Sequence, residues 1–426
     1  MPVNVRLKLT LFLLLFWAVS LRAQDLSFAR QVIDSLCAPE MAGRGYVNDG
    51  SGKAASFVEN QFKQLGLSAS PDGYHQYFTL PVNTFPGKMH VVADGNVLNP
   101  GKDYLMGAAS SSVNGTFKMV TPGARALSSE QRLLRYVKRK TGGKFVVLDE
   151  KTLKIHKKIT DSLLQTNFGR AAGYMVLRDK PLVWSIASGA EPLDFKVIDL
   201  NHHAWENSFK NLEIDVQSKF FPKYRVSNVI GYLPGSRFPD SVIVIGAHYD
   251  HLGMMGSDAC FPGANDNASG VAMMLGLAKH FVTSPPEYTL VFMAFAGEEM
   301  GLKGSSWYTI HPLFPLEQIK LMINLDMVGT GSEGITVVNS NHYAEVYNRL
   351  VRINADNEYI LKVAPRGESC NSDHCPFFMA GVPAIFIYSL GKEYTEYHNI
   401  NDKAASLPLS EFEDITRLLI DFLNGF

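Results

Sequence analysis

The sequence predicts an α/β fold, with a mixed, mostly parallel central sheet sandwiched by helices and an inserted β-rich subdomain. Three observations predict it. First, "SVIVIGAHYD", "YTLVFMAFAGEE", "LMINLDMVG" and "VPAIFIYSLG" are continuous apolar runs of strand length, as expected of strands covered on both faces. Second, helical patterns lie between them: "GVAMMLGLAKHF" after the first run and the segment from Tyr343 to Asn354 before the last. Third, the stretch from Thr84 to Phe220 changes texture to short β-like runs rich in glycine. A chain of 426 residues that is 46% apolar is long enough to bury a large core.

Taken in order, Arg6 and Lys8 precede an apolar stretch, small residues and Ala23, the layout of a secretory signal over residues 1–23 that is cleaved after Ala23. The apolar part is short for a membrane span, and no cysteine follows closely enough for a lipid anchor. The expectation is export, to the periplasm or outside the cell, without stable membrane insertion. Residues 24–83 are read as the N-terminal part of the main domain, with helix, loop, helix from Phe28 to about Pro81. In "SGKAASFVENQFKQLGL", Ala54, Val58, Phe62 and Leu65 share a helical face, and Gly66 is placed to end the helix.

Residues 84–220 form the insertion, with "GTFKMV", "KFVVLDE" and "AAGYMVLR" as strand candidates and no visible catalytic motif. Its basic cluster "QRLLRYVKRKTGGK" reads as a solvated helix face. Residues 221–426 hold the four apolar runs and close on "SEFEDITRLLIDFL". There Ser410 and Glu413 fit a capping box, and Phe412, Ile415, Leu419 and Phe422 make one apolar face.

A formal charge of −1 leaves no global field to draw in nucleic acid, which is excluded as a partner. Four cysteines are too few to staple a fold this size. Cys370 and Cys375 flank "NSDH", and their spacing favours a local disulfide or two free thiols over zinc ligation.

In open α/β sheets a ligand site lies beyond the carboxyl ends of the strands. The first run stops at His248 and Asp250, the second at Glu298 and Glu299, the third at Asp326, and the fourth leads into His398. The turn "GANDNASG" adds Asp266 just before a helix. Two histidines among several carboxylates suit Zn²⁺ and are compatible with Mn²⁺ or Co²⁺. Without a cation, so many carboxylates would raise one another's pKa values. Taken alone, His248 reads as a core histidine, Asp266 as a helix N-cap, the glutamate pair as a solvated loop and Asp326 as an ion-pair partner. Together, at successive strand ends, they point to a metal. His251, His280, His311, His342 and His374 read as ordinary histidines, with His374 the one expected nearest the site. Asp250, two residues past His248, is placed to accept a hydrogen bond from the ring nitrogen that faces away from the metal.

"GAHYDHLG", "GANDNASG", "AFAGEEMGLKGS", "NLDMVG", "SDHCPF" and "EYHNIND", in this order, resemble peptidase family M28, the co-catalytic two-zinc peptidases that are mainly aminopeptidases. The motifs run from about Ser227 to the C-terminus, and "MAGRG" resembles the family's N-terminal part. The resemblance implies a zinc-dependent exopeptidase fold, with a protease-associated-like subdomain as the expectation for residues 84–220. It also implies two Zn²⁺ per chain, with Asp266 bridging both, His248 and Asp326 completing one site, and Glu299 and His398 the other. Glu298 becomes the general base, and Tyr397 the phenol that steadies the tetrahedral oxyanion. One departure stands out: relatives carry an arginine close before "SDH", whereas "GESCNS" separates Arg366 from Asp373 here.

The function so implied is an exported metallopeptidase acting on peptide substrates, an aminopeptidase by the resemblance. Carboxypeptidases and dipeptidases share the metal cage. Glutaminyl cyclases, single-zinc transferases of the same fold class, also show an HYD stretch and a glutamate pair. The "NDNASG" turn, "NLDM", and Tyr397 where cyclases tend to carry tryptophan are peptidase-like. A binding module on a dead peptidase scaffold would have lost ligands, and every ligand position here is occupied.

Overall fold

The computed structural model describes residues 26–186, 191–205 and 209–426. The export signal expected over residues 1–23 lies outside the described residues. Two eight-stranded sheets organise the chain that is described. The first runs, edge to edge, through His75–Thr84, Lys219–Leu233, Tyr288–Phe295, Phe238–His248, Ile319–Leu325, Ala384–Leu390, Gly334–Val338 and Val363–Arg366. Its four middle strands, the apolar runs of the sequence, are mutually parallel. Antiparallel pairing flanks them on both sides, so the sheet is mixed.

The parallel strands are apolar along their length because helices cover both faces. Ser269–Thr283, Phe412–Asn424 and Gly50–Leu65 share one core with the inner residues Ile243, Ile245 and Leu290. Lys303–Ile310 and His374–Met379 cover the other face, where Tyr308 and Phe377 pack on Val244 and Met293. The helix Gly50–Leu65 buries Ala54, Val58 and Phe62 and ends on Gly66 at φ 81°, where the amide of Gly66 closes the last turn. The final helix buries Phe412, Ile415, Leu419 and Phe422 as its periodicity predicts, but the capping box does not form. The helix starts two residues after Ser410, whose hydroxyl donates instead to Glu393.

The second sheet is built from strands between Met89 and Val216, with helices including Glu130–Lys140 and Lys157–Thr166 packed on it. Its core also takes in Leu252, Met255, Ala259 and Phe261, which belong to the segment joining the first parallel strand to "GANDNASG". That segment folds into a hairpin, Gly253–Met255 against Ala259–Phe261, and lies against the insertion. No helix among the described residues is long and apolar enough to cross a membrane.

Candidate metal centre

Parallel pairing brings the strand ends to one edge. His248 is level with Phe295, and Gly246 with Asn324, so Glu298, Glu299 and Asp326 emerge beside His248. The fourth strand ends at Leu390, and the loop that follows returns His398 to the same edge.

Asp266 lies at the centre. Its Oδ1 is 3.3 Å from His248 Nε2, and its Oδ2 is 3.0 Å from His398 Nε2. His248 Nε2 also lies 3.4 Å from Asp326 Oδ1, and His398 Nε2 lies 3.2 Å from Glu299 Oε2. Donor atoms around a tetrahedral zinc with ~2.0–2.1 Å bonds sit roughly 3.3 Å apart. The cage therefore offers two sets of donors at that spacing, joined through one carboxylate. Asp326 Oδ1 and Glu299 Oε1 are buried, each close to a ring nitrogen, His248 Nε2 at 3.4 Å and His251 Nδ1 at 2.8 Å, so nitrogen and oxygen donors converge as they would around a cation. The donor chemistry fits zinc, and the described residues bring together His248, Glu298 and Asp326 as one candidate group and His251, Asp266 and Glu299 as another.

The donors are held from behind. Asp266 sits in the five-residue turn Ala264–Ala268 before the helix Ser269–Thr283, so it is not the N-cap. Its peptide bond to Asn267 is cis. Its amide and that of Asn265 donate to the buried carboxylate of Asp402, at 3.1 and 2.9 Å. Ser372 donates to Asp326 Oδ2 at 2.7 Å from the loop that the Cys370–Cys375 disulfide closes, so the two cysteines are paired. Gly263 has φ +63°, and a Cβ there would collide with the Asp266 carbonyl and the His251 ring.

Arg44, from "MAGRG", is fully buried with no carboxylate on its guanidinium among the described residues. It donates to the carbonyls of Leu36, Tyr249, Pro262, Gly263 and Asp266, clamping the chain around the Ala264–Ala268 turn. Such a charge is expensive to bury and is tolerated because each donor finds an oxygen.

Asp250 differs from the expectation. His248 Nδ1 donates to its backbone carbonyl at 3.1 Å, while the carboxylate stays 3.8 Å away. That carboxylate instead accepts from the Glu298 amide at 3.1 Å, which fixes the turn presenting the glutamate pair. His251 also departs from its ordinary reading: it is wholly buried, with Nδ1 2.8 Å from Glu299 Oε1. His374, expected nearer the site, bonds through Nε2 to the Ser369 carbonyl and packs on Phe386. Arg366 is exposed and donates to the Tyr388 hydroxyl, away from the cage.

The electrostatics separate the two glutamates. Burial pushes Glu298 well above the usual carboxylate range, and Glu299, Asp373 and Asp326 push it further against the pull of His248. Burial acts on Glu299 too, but contacts with His251 and His398 outweigh it and lower the pKa. Asp266 is held well below its ordinary value, because bonds to His248 and His398 overcome burial. Burial would lower His398, yet Asp266 and Glu299 raise it to about 11. Asp373, buried and bonded to Ser305, is raised to about 7, first by burial. Tyr397 sits on the rim, 43% exposed, its ring stacked on His398 at 3.9 Å. Burial and then the nearby Asp266, Glu299, Asp326 and Glu298 raise its phenol.

Several residues that support the site were invisible in sequence. Asp402 lies within the quoted "EYHNIND" and Arg44 within "MAGRG", but neither motif says what its charge faces. Trp184 of the insertion accepts a hydrogen bond from His398 Nδ1 on its carbonyl at 2.9 Å, and no local pattern announces it.

Residues 228–423 match the model described as peptidase family M28. Aminopeptidase YwaD of Bacillus subtilis is 31% identical over 223 residues, covering 48% of this chain and 46% of that protein. A probable zinc metalloprotease of Pyrenophora tritici-repentis is 30% identical over 230 residues, covering 45% of this chain and 52% of that protein. A second, from Pyricularia oryzae, is 41% identical over 123 residues, covering 28% of this chain and 24% of that protein. The matches thus span about a quarter to half of the length of these curated relatives. Among solved structures, a zinc aminopeptidase from Bacillus subtilis aligns over 94% of both chains, with TM-score 0.68 at 19% identity. A peptidase M28 precursor from Shewanella amazonensis aligns over 93% of this chain and 92% of its own, with TM-score 0.70 at 18% identity. Both carry the same overall fold.

Proposed function

Residues 228–423 belong to peptidase family M28, and from that premise we propose that the chain is an exported two-zinc metallopeptidase that removes residues from peptide N-termini. The observation that carries the reading is Asp266, whose two oxygens face two different histidines, each sharing its ring nitrogen with a second carboxylate. His248, Asp266 and Asp326 would hold one ion; Asp266, Glu299 and His398 the other. When bound, the ions supply Lewis acidity, making water acidic enough to attack near neutral pH and polarising the scissile carbonyl.

This chain's own residues divide the remaining work. Glu298 is the unligated neighbour in the glutamate pair, and its raised proton affinity suits a base that takes a proton from the attacking water and returns it to the leaving amine. Glu299 stays ionised as a ligand under the pull of His251 and His398. Tyr397, on the open rim above His398, would donate its phenolic proton in a hydrogen bond to the oxyanion. The named aminopeptidase and zinc metalloprotease relatives support the substrate class. The Cys370–Cys375 disulfide supports an oxidising, exported location.

The test is hydrolysis of an aminoacyl chromogenic substrate alongside its N-blocked counterpart, with and without chelator. Chelator-sensitive cleavage of the free-amine substrate alone is expected. Cleavage indifferent to N-blocking would overturn the aminopeptidase assignment, and the absence of chelator-sensitive hydrolysis across a broad panel would overturn the peptidase reading.

A further inference from the structure

The insertion touches the metal centre at the ligand that the C-terminal loop supplies. His398 Nδ1 donates to the Trp184 carbonyl at 2.9 Å, and the Trp184 amide donates back to the His398 carbonyl at 2.9 Å. His398 has φ +52°, a left-handed conformation that a histidine adopts only at a cost, so its position depends on such outside bonds. Trp184 is itself pinned: its indole nitrogen donates to the Met106 carbonyl at 2.8 Å, and its ring packs at 4.8 Å on Phe261. Both partners lie in the insertion's core, which also receives Ile400, two residues past His398. A second element of the insertion abuts the same loop, for a Cβ on Gly101 would press on Ile400 and Ala259.

The two halves of the cage are therefore supported from different sources. His248 Nδ1 is satisfied by the backbone of its own strand end, at Asp250. His398 Nδ1 is satisfied across the boundary, by a residue more than two hundred positions away in sequence. A hydrogen bond on the far nitrogen fixes the tautomer and ring orientation of a metal-ligating histidine, and its loss typically weakens metal binding by about 10–100-fold.

We propose that the inserted subdomain is part of the metal centre, with Trp184 the positioning residue that presents His398 to the second ion. The proposal rests on the two-ion reading and deepens it. It predicts that disturbing the insertion at Trp184 weakens one ion and spares the other, which a general loss of packing would not do.

Two measurements on the full chain decide it. In calorimetric titration of the metal-free protein with Zn²⁺, Trp184→Ala should keep the tighter or looser ion held by His248, Asp266 and Asp326 within about twofold and weaken the other by about 10–100-fold. Trp184→Phe, which keeps the ring packing, should recover most of that loss. Wild-type affinities for both ions in Trp184→Ala, or equal weakening of both, would overturn the proposal. Amide exchange of the wild-type protein supplies a readout that needs no variant to fold. Zinc loading should slow exchange over residues 182–186 of the insertion together with residues 396–400, and unchanged exchange over 182–186 would overturn the proposal. Uptake of one ion by the wild-type chain would defeat the two-ion reading instead, and the exchange measurement would still decide whether metal and insertion are coupled.

Discussion

At the scale of single residues, the account assigns opposite tasks to adjacent glutamates. Glu298→Gln removes the base while leaving the donors in place, so metal content should stay near wild type while turnover falls about 10²–10⁴-fold. Metal analysis beside a turnover assay checks this, and a variant that arrives empty of metal would reverse the assignment within the pair. His398 contributes to the pH dependence, as does His248, whose neighbouring carboxylates raise its pKa against burial. For His398 the ordinary pKa of 6.5 is raised to about 11 in the metal-free chain, so its charged pairing with Asp266 and Glu299 stabilises that state fully below about 6.5 and is lost only as pH rises through about 11. An ion must displace this proton. Loading at pH 7 should release at least one proton, and apparent affinity should fall by about tenfold per unit of pH per proton as the solution is acidified. Calorimetry in buffers of different ionisation enthalpy measures the release, and zero release would contradict the charged pairing.

At the scale of elements, the site depends on loops that would wander if they were not tied. The loop from Cys370 to Cys375 carries Ser372, which holds Asp326, and Asp373, which is bonded to Ser305 on the neighbouring helix. Closing a six-residue loop with a disulfide is worth about 2 kcal/mol in the chain-entropy description. Cys370→Ser with Cys375→Ser should therefore lower stability by about that amount in denaturant unfolding and weaken the ion bound by Asp326. Unfolding unchanged by the double substitution would show that the loop is ordered by its packing alone. Opposite this loop, Arg44 performs a similar task without a covalent bond, drawing five carbonyls from three chain segments onto one guanidinium. The glycine at 270 shows how tightly these pieces meet, since a Cβ there would strike the Asn267 side chain and the Leu325 carbonyl. The helix can then begin directly under the turn that bears Asp266.

At the scale of the whole molecule, what the sequence made legible and what it hid follow from the range of the interactions. Strand ends bearing His248, Glu298, Glu299 and Asp326 could be read because each lies at the end of a long apolar run, and parallel pairing then leaves little choice about where those ends meet. The final helix could be read from its apolar face, but its start could not, because Ser410 finds Glu393 through the fold. His251, three residues past His248, gives no sign in sequence of turning back toward Glu299, because that contact is made through the fold. Trp184, Arg44 and Asp402 act through backbone groups distant in sequence, and such contacts leave no periodicity or spacing to detect. The insertion shows no catalytic motif for the same reason, although its core includes the hairpin between His248 and Asp266.

The most direct measurement is anomalous diffraction at the zinc edge from crystals of the zinc-loaded chain. Two peaks about 3.5–4 Å apart are predicted, one within bonding distance of His248, Asp266 and Asp326 and the other of Asp266, Glu299 and His398. A single peak, or a pair not sharing Asp266, would contradict the account.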